Sequence, residues 1–389
     1  MKRITINRVI VSLVVWVVAI QSCNHSDKQA PVALRSLLPS YIKDSIYLSG
    51  DNFFSKEKAN LGRYFFYDRR MSFNQTKSCS SCHDQKFSFT DGYRRSIGAL
   101  GDNHQHNALP LVNLIFNKYL TLADSSLRFP EQQIHNPMFH DQPIELGWKG
   151  NETIILERFK KDDFYRQQMK MVFPGNEDPI TIKNIQSCIS SFVKTIISFN
   201  AAYDRYTYRN DTNALTATEK KGMELFFSAA LACGNCHGGS NFSVPLIRDS
   251  GGQPAYYQNT GLYNTDGRGA YPSYDQGLFQ LTRNIKDMGR YRIPTLRNLA
   301  FTAPYFHDGS AASLEEVIAV YENGGRNETS GIYKGDGRKN PYKNQLINGI
   351  RLTSQEKKAL ISFLLSLSDS SVCNNPLYAN PFKEDETKK

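Results

Sequence analysis

Two short segments of the chain share the pattern Cys-x-x-Cys-His. They span residues 79–83 and residues 233–237. This spacing is the attachment signature of a c-type haem, because two thiols must reach the two vinyl groups of one porphyrin while the next residue offers an imidazole to the iron. A zinc site would need further Cys or His pairs at ligand spacing, and none accompany these segments. The pattern predicts two covalent haems, held by Cys79, Cys82 and His83 and by Cys233, Cys236 and His237.

The chain around these two motifs shows a weak internal repeat. In each half a helical stretch with a Gly and a Phe-Phe pair comes before the motif, over residues 57–67 and residues 216–227. A long loop follows each motif and leads to an element that runs from a Pro to an Asn, at residues 110–113 and 294–298. Strand signals are poor, and the loops carry most of the Gly and Pro. The pattern predicts an all-α fold with long loops, in which two cytochrome c-like haem domains are related by internal duplication.

The chain of 389 residues is long enough for two domains of ordinary size. A polar linker at residues 209–213 marks the boundary between the two haem domains, and a C-terminal helix starts near Thr353. The predicted segments are a lipoprotein signal peptide (1–23), a tether (24–50), an N-terminal haem domain (51–208), a C-terminal haem domain (209–372) and a tail (373–389).

The N-terminus has the pattern of a targeting signal. Lys2, Arg3 and Arg8 form a positive region, and residues 9–20 form an apolar stretch too short for a comfortable membrane span. A small residue precedes Cys23, as in a bacterial lipobox in which that Cys becomes the acylated first residue; an ordinary secretory signal with an incidental Cys is the alternative. Both alternatives predict an exported protein, in the periplasm or at the outer membrane. The lipobox alternative adds membrane contact, only through a lipid at Cys23. Haem c, which is attached outside the cytoplasm, agrees with export.

The composition limits the classes of partner. The net charge is +10, but Lys and Arg are scattered among acidic residues without a basic stripe, which predicts a solvated surface and an acidic protein partner rather than nucleic acid. Trp occurs only at Trp16 and Trp148, among 21 Tyr and 23 Phe. Cys188 lies in a helical pattern that predicts a buried free thiol, and Cys373 lies in the polar tail. A disulfide between these two cysteines stays open.

Residues 52–370 resemble the bacterial di-haem cytochrome c peroxidase and MauG superfamily. The resemblance rests on residues 61–63 (LGR), 89–92 (FTDG), 287–298 (DMGRYRIPTLRN) and, most specifically, 302–310 (TAPYFHDGS) followed by LEEV at 314–317. Further stretches are similar to the MbnH-type branch, namely residues 117–123 (NKYLTLA), 137–139 (PMF), 143–147 (PIELG) and 259–264 (NTGLYN). The resemblance to that branch implies a secreted, metal-associated partner of the MbnP type, in which a Trp is oxidised to kynurenine.

The resemblance implies unequal roles for the two haems. His83 would be the proximal ligand of an N-terminal, high-spin haem where peroxide reacts, and His237 the proximal ligand of the second haem. Cytochrome c peroxidases of the superfamily close the second iron with a Met, and the matching position here is Tyr321, as in MauG-like enzymes. A phenolate is a hard anionic donor that stabilises oxidised iron, whereas a thioether favours the ferrous state. A core aromatic on the helix begun by Ser313 is the alternative role for Tyr321.

The first iron is predicted to be open at rest. Cytochrome c peroxidases of the superfamily carry a blocking His after Ser-Ile-Gly, but here residues 96–98 are followed by Ala99, which cannot bind iron. His104 and His106 are close by in sequence, so either one as a sixth ligand stays an alternative.

The pocket above an open iron needs a group that moves a proton from the near to the far oxygen of peroxide, and a carboxylate suits that task. Glu145 matches the distal Glu of the superfamily, with Gln133 and Pro137 as its pocket neighbours; a surface carboxylate is the alternative, which the apolar flanks of Glu145 disfavour. The resemblance also implies a calcium ion between the haems. The matching positions are the side chain of Asn107 and the carbonyls of Thr302 and Pro304, an all-oxygen set that suits calcium.

One position departs from the superfamily. A Trp usually lies between the haems as a relay for electron holes, and here that position is Leu122. Charge would then move between the haems without this relay, or an aromatic such as Tyr119 or Trp148 would replace it.

Three functions follow from these residues. The first is a peroxide-driven oxidase of a Trp or Tyr on a secreted partner, as in MauG and MbnH-type enzymes. The second is a cytochrome-c peroxidase that reduces hydrogen peroxide with electrons from a small electron-transfer protein. The third is an electron-transfer or haem-sensing lipoprotein, which would need two six-coordinate haems.

Overall fold

The structure is a computed structural model that describes residues 32–47, 53–249, 251–253 and 255–382. The predicted signal peptide, with the lipobox Cys23, lies outside these residues. Within the described ranges, no helix combines the length and the apolar character that are required to cross a membrane.

The described chain is rich in helices. Eleven α-helices follow in chain order: α1 (Lys56–Tyr67), α2 (Pro130–Phe139), α3 (Glu152–Lys160), α4 (Asp163–Val172), α5 (Ile182–Lys194), α6 (Ala202–Tyr208), α7 (Ala217–Phe227), α8 (Phe279–Thr282), α9 (Leu314–Glu322), α10 (Ser354–Ser366) and α11 (Ser371–Asn374). Long loops with short 3₁₀ turns connect them, so the helix-rich character predicted from the sequence is confirmed.

Three short antiparallel pairs fall outside the predicted all-α class. They are β1 (Val32–Ala33) with β2 (Phe53–Phe54), β3 (Tyr257–Gln258) with β4 (Tyr291–Arg292), and β5 (Asn327–Glu328) with β6 (Gly335–Asp336). In register, Tyr257 lies opposite Arg292 and Asn327 lies opposite Asp336. Each strand has two residues, because these are places where long loops cross and share backbone hydrogen bonds.

Side-chain caps fix where the main helices begin. Thr216 and Glu219 form the capping box at the start of α7, where Glu219 N donates to Thr216 Oγ1 and Thr216 N donates to Glu219 Oε2. Thr353 and Glu356 repeat this arrangement at α10. Each box satisfies backbone N–H groups that the first turn leaves without partners. Both helix starts that were expected from the sequence are therefore present.

Two helix crossings of the same kind support the two motif segments. In the first, α1 packs on α5 so closely that a Cβ at Gly62 would lie 1.8 Å from Cys188 O. In the second, α7 packs on α10, and a Cβ at Gly222 would lie 1.9 Å from Ala359 O. Because no side chain fits at such distances, only Gly allows either crossing. In each crossing, the first helix precedes its Cys-x-x-Cys-His segment in the chain and the second helix follows that segment.

Each crossing has its own hydrophobic core. The first core gathers α1 to α5 around fully buried rings that include Phe65, Phe159 and Trp148. The second joins α7, α9 and α10 around Phe226 and Phe363. Helix α6 also packs into the second core, through Tyr203, although the predicted boundary follows it at residue 208. That boundary stays a prediction.

Both ends of the described chain pack on the first core. Leu34 and Ile42, within the predicted tether, are 0% and 2% exposed, so this part of the segment is a packed arm. In the predicted tail, Tyr378 Oη donates to Thr195 O at 2.8 Å. Gln85 Nε2, just after the first motif, donates to Val372 O at 2.9 Å. The segment after α10 therefore returns to the first half of the chain.

Candidate functional site

Each Cys-x-x-Cys-His segment lies in the wall of its own cavity. Cys79, Cys82 and His83 line the first cavity, and Cys233, Cys236 and His237 line the second. Each segment forms a 3₁₀ turn that starts at its first Cys. The spacing predicted from the sequence is thus realised as two separate three-residue groups.

The two imidazoles are oriented in the same way. His83 Nδ1 donates to Phe89 O at 2.8 Å, and His237 Nδ1 donates to Phe242 O at 3.1 Å. A carbonyl can only accept, so Nδ1 carries the proton and the lone pair of Nε2 is left for a metal. Burial lowers the pKa of both imidazoles, that of His237 to about 4, which keeps them neutral. These are the tautomer and charge state that an iron ligand requires.

The thiols also fit covalent haem. Burial raises the pKa of Cys79 and Cys82 to about 12 and that of Cys233 and Cys236 to about 11, so all four are neutral. Neutral thiols in an apolar wall suit addition to vinyl groups rather than metal binding as thiolates. Among the described residues no cluster of three or more His, Cys, Asp or Glu could hold another metal ion. A haem bound here supplies the redox-active iron.

The predicted distal residues come together in the first cavity. Glu145, Gln133 and Pro137 line it together with the first motif, and so does His104. Burial raises the pKa of Glu145 to about 7. Gln133 Oε1 is buried and has no hydrogen-bond partner among the described residues, which leaves it free for a bound molecule. A carboxyl that titrates near neutrality beside an unpaired amide can bind peroxide and move its proton.

His104 and His106, the two histidines that follow Ala99 in sequence, differ in their hydrogen bonds. His104 Nε2 lies 3.7 Å from Glu145 Oε2 and has no hydrogen-bond partner among the described residues, so it still faces the cavity. His106 Nε2 instead donates to Asp275 Oδ1 at 2.8 Å. Ala99 is nearly buried, and its N–H donates to Ile144 O. The methyl group of Ala99 offers no atom that could bind iron, and His104 stays the alternative sixth ligand.

Tyr321 lines the second cavity together with the second motif. It lies near the end of α9. Burial raises its pKa, and the nearby thiols of Cys236 and Cys233 raise this pKa further. The side chain thus belongs to the wall of the cavity rather than to a helix contact elsewhere. Iron coordination by this phenol remains a prediction.

The three positions predicted for calcium meet beside the second cavity. Asn107, Thr302 and Pro304 all line it, and the Asn107 side-chain amide lies 2.7 Å from Pro304 O. With its amide turned to present Oδ1, Asn107 and the two carbonyls would offer three neutral oxygens. Such a set fits a calcium ion whose other ligands are waters.

Leu122 lies in the walls of both cavities. Its carbonyl accepts a hydrogen bond from Arg292 N at 2.8 Å. The two aromatics considered as replacements for a bridging Trp line neither cavity in the described part of the chain. Trp148 is buried in the first core, where Nε1 donates to Met71 O at 2.6 Å, and Tyr119 packs against Tyr256. Among the described residues, neither ring therefore lies between the two cavities as Leu122 does.

Sequence reasoning missed a group beside Leu122 that we call the bridging cluster: Tyr291, Asp275, His307 and His106. Tyr291 Oη donates to Asp275 Oδ1 at 2.5 Å, and the Tyr291 and His307 rings stack with centroids 3.6 Å apart. Asp275 also accepts from both histidines. Burial alone would raise the pKa of Asp275, but its histidine neighbours hold it well below its usual range. Tyr291 and His307 line the second cavity and His106 the first.

Comparisons with known proteins agree with this geometry. The family model for di-haem cytochrome c peroxidase matches residues 56–213. The chain is 30% identical over 384 residues to cytochrome-c peroxidase IdrP1 of Pseudomonas sp. (strain SCT), which covers 95% of this chain and 93% of that protein. It is 26% identical to the methylamine utilization protein MauG of Methylorubrum extorquens, over 80% of this chain and 78% of that one.

A solved structure extends the likeness to three dimensions. The crystal structure of a MauG-like protein associated with microbial copper homeostasis is 42% identical, with a TM-score of 0.84 over 89% of this chain and 99% of that one. Both motif segments and their cavities thus lie within an architecture that related proteins share. The chain belongs to the di-haem cytochrome c peroxidase family, whose members are haem-dependent oxidoreductases with two c-type haems.

Proposed function

We propose that this peroxidase uses hydrogen peroxide to oxidise a Trp or Tyr side chain on a secreted partner protein, in the manner of MauG and MbnH-type enzymes. The observation that carries the proposal is Tyr321 in the wall of the second cavity, beside Cys233, Cys236 and His237. A phenolate at the second iron opposes reduction of that haem, which a donor-driven peroxidase needs. A phenolate ligand favours an enzyme that takes electrons from a group that is hard to oxidise, such as an aromatic side chain.

The first cavity supports the same proposal. Ala99 leaves the iron open without prior reduction, and Glu145 and Gln133 provide the distal groups for peroxide. The 42% identical relative is described as MauG-like and associated with copper homeostasis, which supports a metal-associated partner of the MbnP type. We propose export and a lipid anchor at Cys23, which would hold the enzyme where such a partner is secreted. A calcium ion at Asn107, Thr302 and Pro304 belongs to the same proposal.

The internal duplication of two cytochrome c-like haem domains, divided near residue 208, is also proposed. The Gly62 and Gly222 crossings and the paired His–Phe hydrogen bonds support it. So do Asn113 and Asn298, which both adopt a left-handed backbone, with φ of 56° and 64°, directly before a 3₁₀ turn.

The second candidate is a cytochrome-c peroxidase that takes electrons from a small electron-transfer protein. Full-length similarity to a protein named as a cytochrome-c peroxidase favours it. The two functions differ in what the second iron must do. A donor-driven enzyme must be half-reduced before peroxide reacts, whereas the proposed oxidase reacts in its fully oxidised form.

Electron paramagnetic resonance of the ferric holoenzyme, before and after one equivalent of hydrogen peroxide, tests the proposal. We expect one high-spin and one low-spin centre, and a long-lived oxidised species without prior reduction. Two low-spin centres would instead support the electron-transfer or sensing protein. A species that forms only after half-reduction would support the donor-driven peroxidase.

Substitution of Tyr321 tests the proposed role of this residue as a ligand of the second iron. Tyr321→Phe should convert the low-spin centre to high spin, because Phe offers no ligand atom. Tyr305→Phe is a matched control, since Tyr305 lines the same cavity but donates its hydroxyl to Leu299 O. A low-spin signal that survives in Tyr321→Phe would refute the role of this residue as a ligand.

A further inference from the structure

Tyrosine rings continue from the bridging cluster to the protein surface. The Tyr291 ring centroid lies 6.3 Å from that of Tyr271, Tyr271 lies 5.3 Å from Tyr263, and Tyr263 lies 6.1 Å from Tyr333. Tyr333 in turn lies 5.8 Å from Tyr274. Rings at these separations are in direct contact. We call these five residues the tyrosine chain.

The two ends of the tyrosine chain differ in exposure. Tyr271 and Tyr263 are 3% and 4% exposed, so no side chain of another protein can touch them. Tyr333 and Tyr274 are partly exposed, and the neighbouring Ile332 is 86% exposed. Another protein can therefore reach the chain only at its outer end, while the inner end borders both haem cavities through the bridging cluster.

Two buried phenols of the chain each donate to a carboxylate. Tyr291 Oη donates to Asp275 Oδ1 at 2.5 Å, and Tyr263 Oη donates to Asp308 Oδ2 at 2.7 Å. Burial raises the pKa of both phenols, so each is protonated at rest. A phenol that loses an electron becomes a strong acid, and a carboxylate in contact can take its proton. The product is a neutral radical rather than an unpaired buried cation, which would be costly.

Tyr271 has a different partner. Its hydroxyl donates to Asn259 Oδ1 at 2.9 Å, and an amide oxygen is a weak base. Tyr271 therefore connects its neighbours by ring contact without holding a radical itself. The His307 ring provides a parallel contact, with centroids 3.6 Å from Tyr291 and 6.5 Å from Tyr263.

We propose that the tyrosine chain carries the oxidising equivalents of peroxide, one electron at a time, from the space between the haem cavities to the surface at Tyr333 and Tyr274. The aromatic side chain of the partner protein is oxidised there. This inference rests on the proposed function and deepens it, because it assigns the place where the partner is oxidised.

The reaction balances in electrons and protons. Reduction of one hydrogen peroxide to two waters takes two electrons and two protons. Each electron leaves the partner's Trp or Tyr with one proton and enters at Tyr333 or Tyr274. Inside the chain, the phenolic protons of Tyr291 and Tyr263 move to Asp275 and Asp308 when these two rings are oxidised, and they return when the rings are reduced. Two such passages supply both electrons, and the proton released by the partner at each passage balances one taken up by peroxide.

Radical trapping in the full-length holoenzyme tests this route. One equivalent of hydrogen peroxide is added with the spin trap 2-methyl-2-nitrosopropane, and the adducts are located by mass spectrometry. We expect adducts at Tyr333 or Tyr274. In Tyr263→Phe these adducts should fall about tenfold or more. A transfer step that a higher barrier slows about tenfold loses to the competing decay of the oxidised species.

Matched variants separate the route from damage to the fold. Tyr342→Phe is the control. Tyr342 packs against the hydrophobic cluster that contains Tyr263, Tyr271 and Tyr291, but among the described residues its ring does not contact a ring of the tyrosine chain. Substitution of both Tyr333 and Tyr274 by Phe removes only the partly exposed outer end. In that variant the peroxide-oxidised spectrum should persist about tenfold longer than in the wild type.

The outcomes distinguish the two proposals. Adducts at Tyr333 that survive in Tyr263→Phe, or an oxidised spectrum that decays as fast without Tyr333 and Tyr274, would overturn the route and leave the proposed function standing. A holoenzyme that does not react with peroxide in its ferric form would overturn both. Loss of the surface adducts in Tyr263→Phe but not in Tyr342→Phe would support the route.

Discussion

Glu145 is the residue on which we expect the reaction with hydrogen peroxide to depend. It lines the same cavity as His83, and burial raises its pKa to about 7. The ionised carboxylate can accept a proton from the near oxygen of peroxide and give it to the far oxygen as the O–O bond breaks. The acid form cannot begin this transfer. Because the pKa is raised, the active base form is lost as the pH falls through about 7.

The size of the effect follows from that pKa. A carboxyl that titrates near pH 7 is about one-tenth ionised at pH 6 and about nine-tenths ionised at pH 8, so the rate constant for peroxide should rise roughly tenfold between them. In Glu145→Gln the base is absent at every pH. The rate constant should fall by about 10²- to 10⁴-fold, the usual contribution of a positioned base, and its pH dependence should disappear.

Stopped-flow absorbance of the ferric holoenzyme measures this rate constant. Asp141→Asn is the matched control, because Asp141 lies on the same loop but is 54% exposed and pairs with Lys149. Its kinetics should equal those of the wild type. A Glu145→Gln enzyme with the wild-type rate would refute the role of Glu145. A slow variant that keeps its pH profile would show that a group other than Glu145 titrates near neutrality. Burial lowers the pKa of the neighbouring His104 to about 4, which is below that range.

Three further predictions concern the scaffold and the calcium site. Gly222→Ala should lower the free energy of unfolding by about 1–3 kcal/mol, because its Cβ would overlap the facing helix. Lys221→Ala, on the exposed side of α7, should have little effect. Urea titration measures both variants. Arg297→Met should lower the free energy of unfolding by about 3–5 kcal/mol, because it leaves the Asp204 carboxylate buried without its charge partner in a pair whose side chains are both 0% exposed. The double variant with Asp204→Leu should recover much of this loss. Asn107→Ala should weaken calcium binding, measured by titration calorimetry, by about tenfold; an unchanged affinity would exclude this site.

The local parts of the site could be predicted from the sequence, because they depend on residues that are neighbours in the chain. The haem segments and the capping box of Thr216 and Glu219 are of this kind. Packing between distant segments could not be predicted in this way. Nothing near Gly62 in sequence shows that it must meet Cys188 O, and nothing in the predicted tether shows that Leu34 becomes fully buried.

The bridging cluster shows why the remaining part of the site was missed. Tyr291 lies inside a stretch that marks the family. Its partner Asp275 comes 16 residues earlier, and His106, which donates to Asp275, comes from a loop a further 169 residues away. Each residue alone has an ordinary structural interpretation. Their chemistry appears only when the fold brings one carboxylate into contact with a phenol and two imidazoles.

Leu122 gives this cluster its significance for function. A saturated side chain offers no ring through which an electron hole can pass, so the wall that both cavities share does not favour direct exchange at that position. Tyr291, whose neighbour Arg292 donates to Leu122 O, supplies the ring beside that wall. Its phenol has a proton acceptor in Asp275, and its onward contacts run through Tyr271 toward the surface. In the proposed function, the missing ring at Leu122 would slow charge sharing between the two irons, and the proposed tyrosine chain would provide the outward route that oxidation of a partner protein requires.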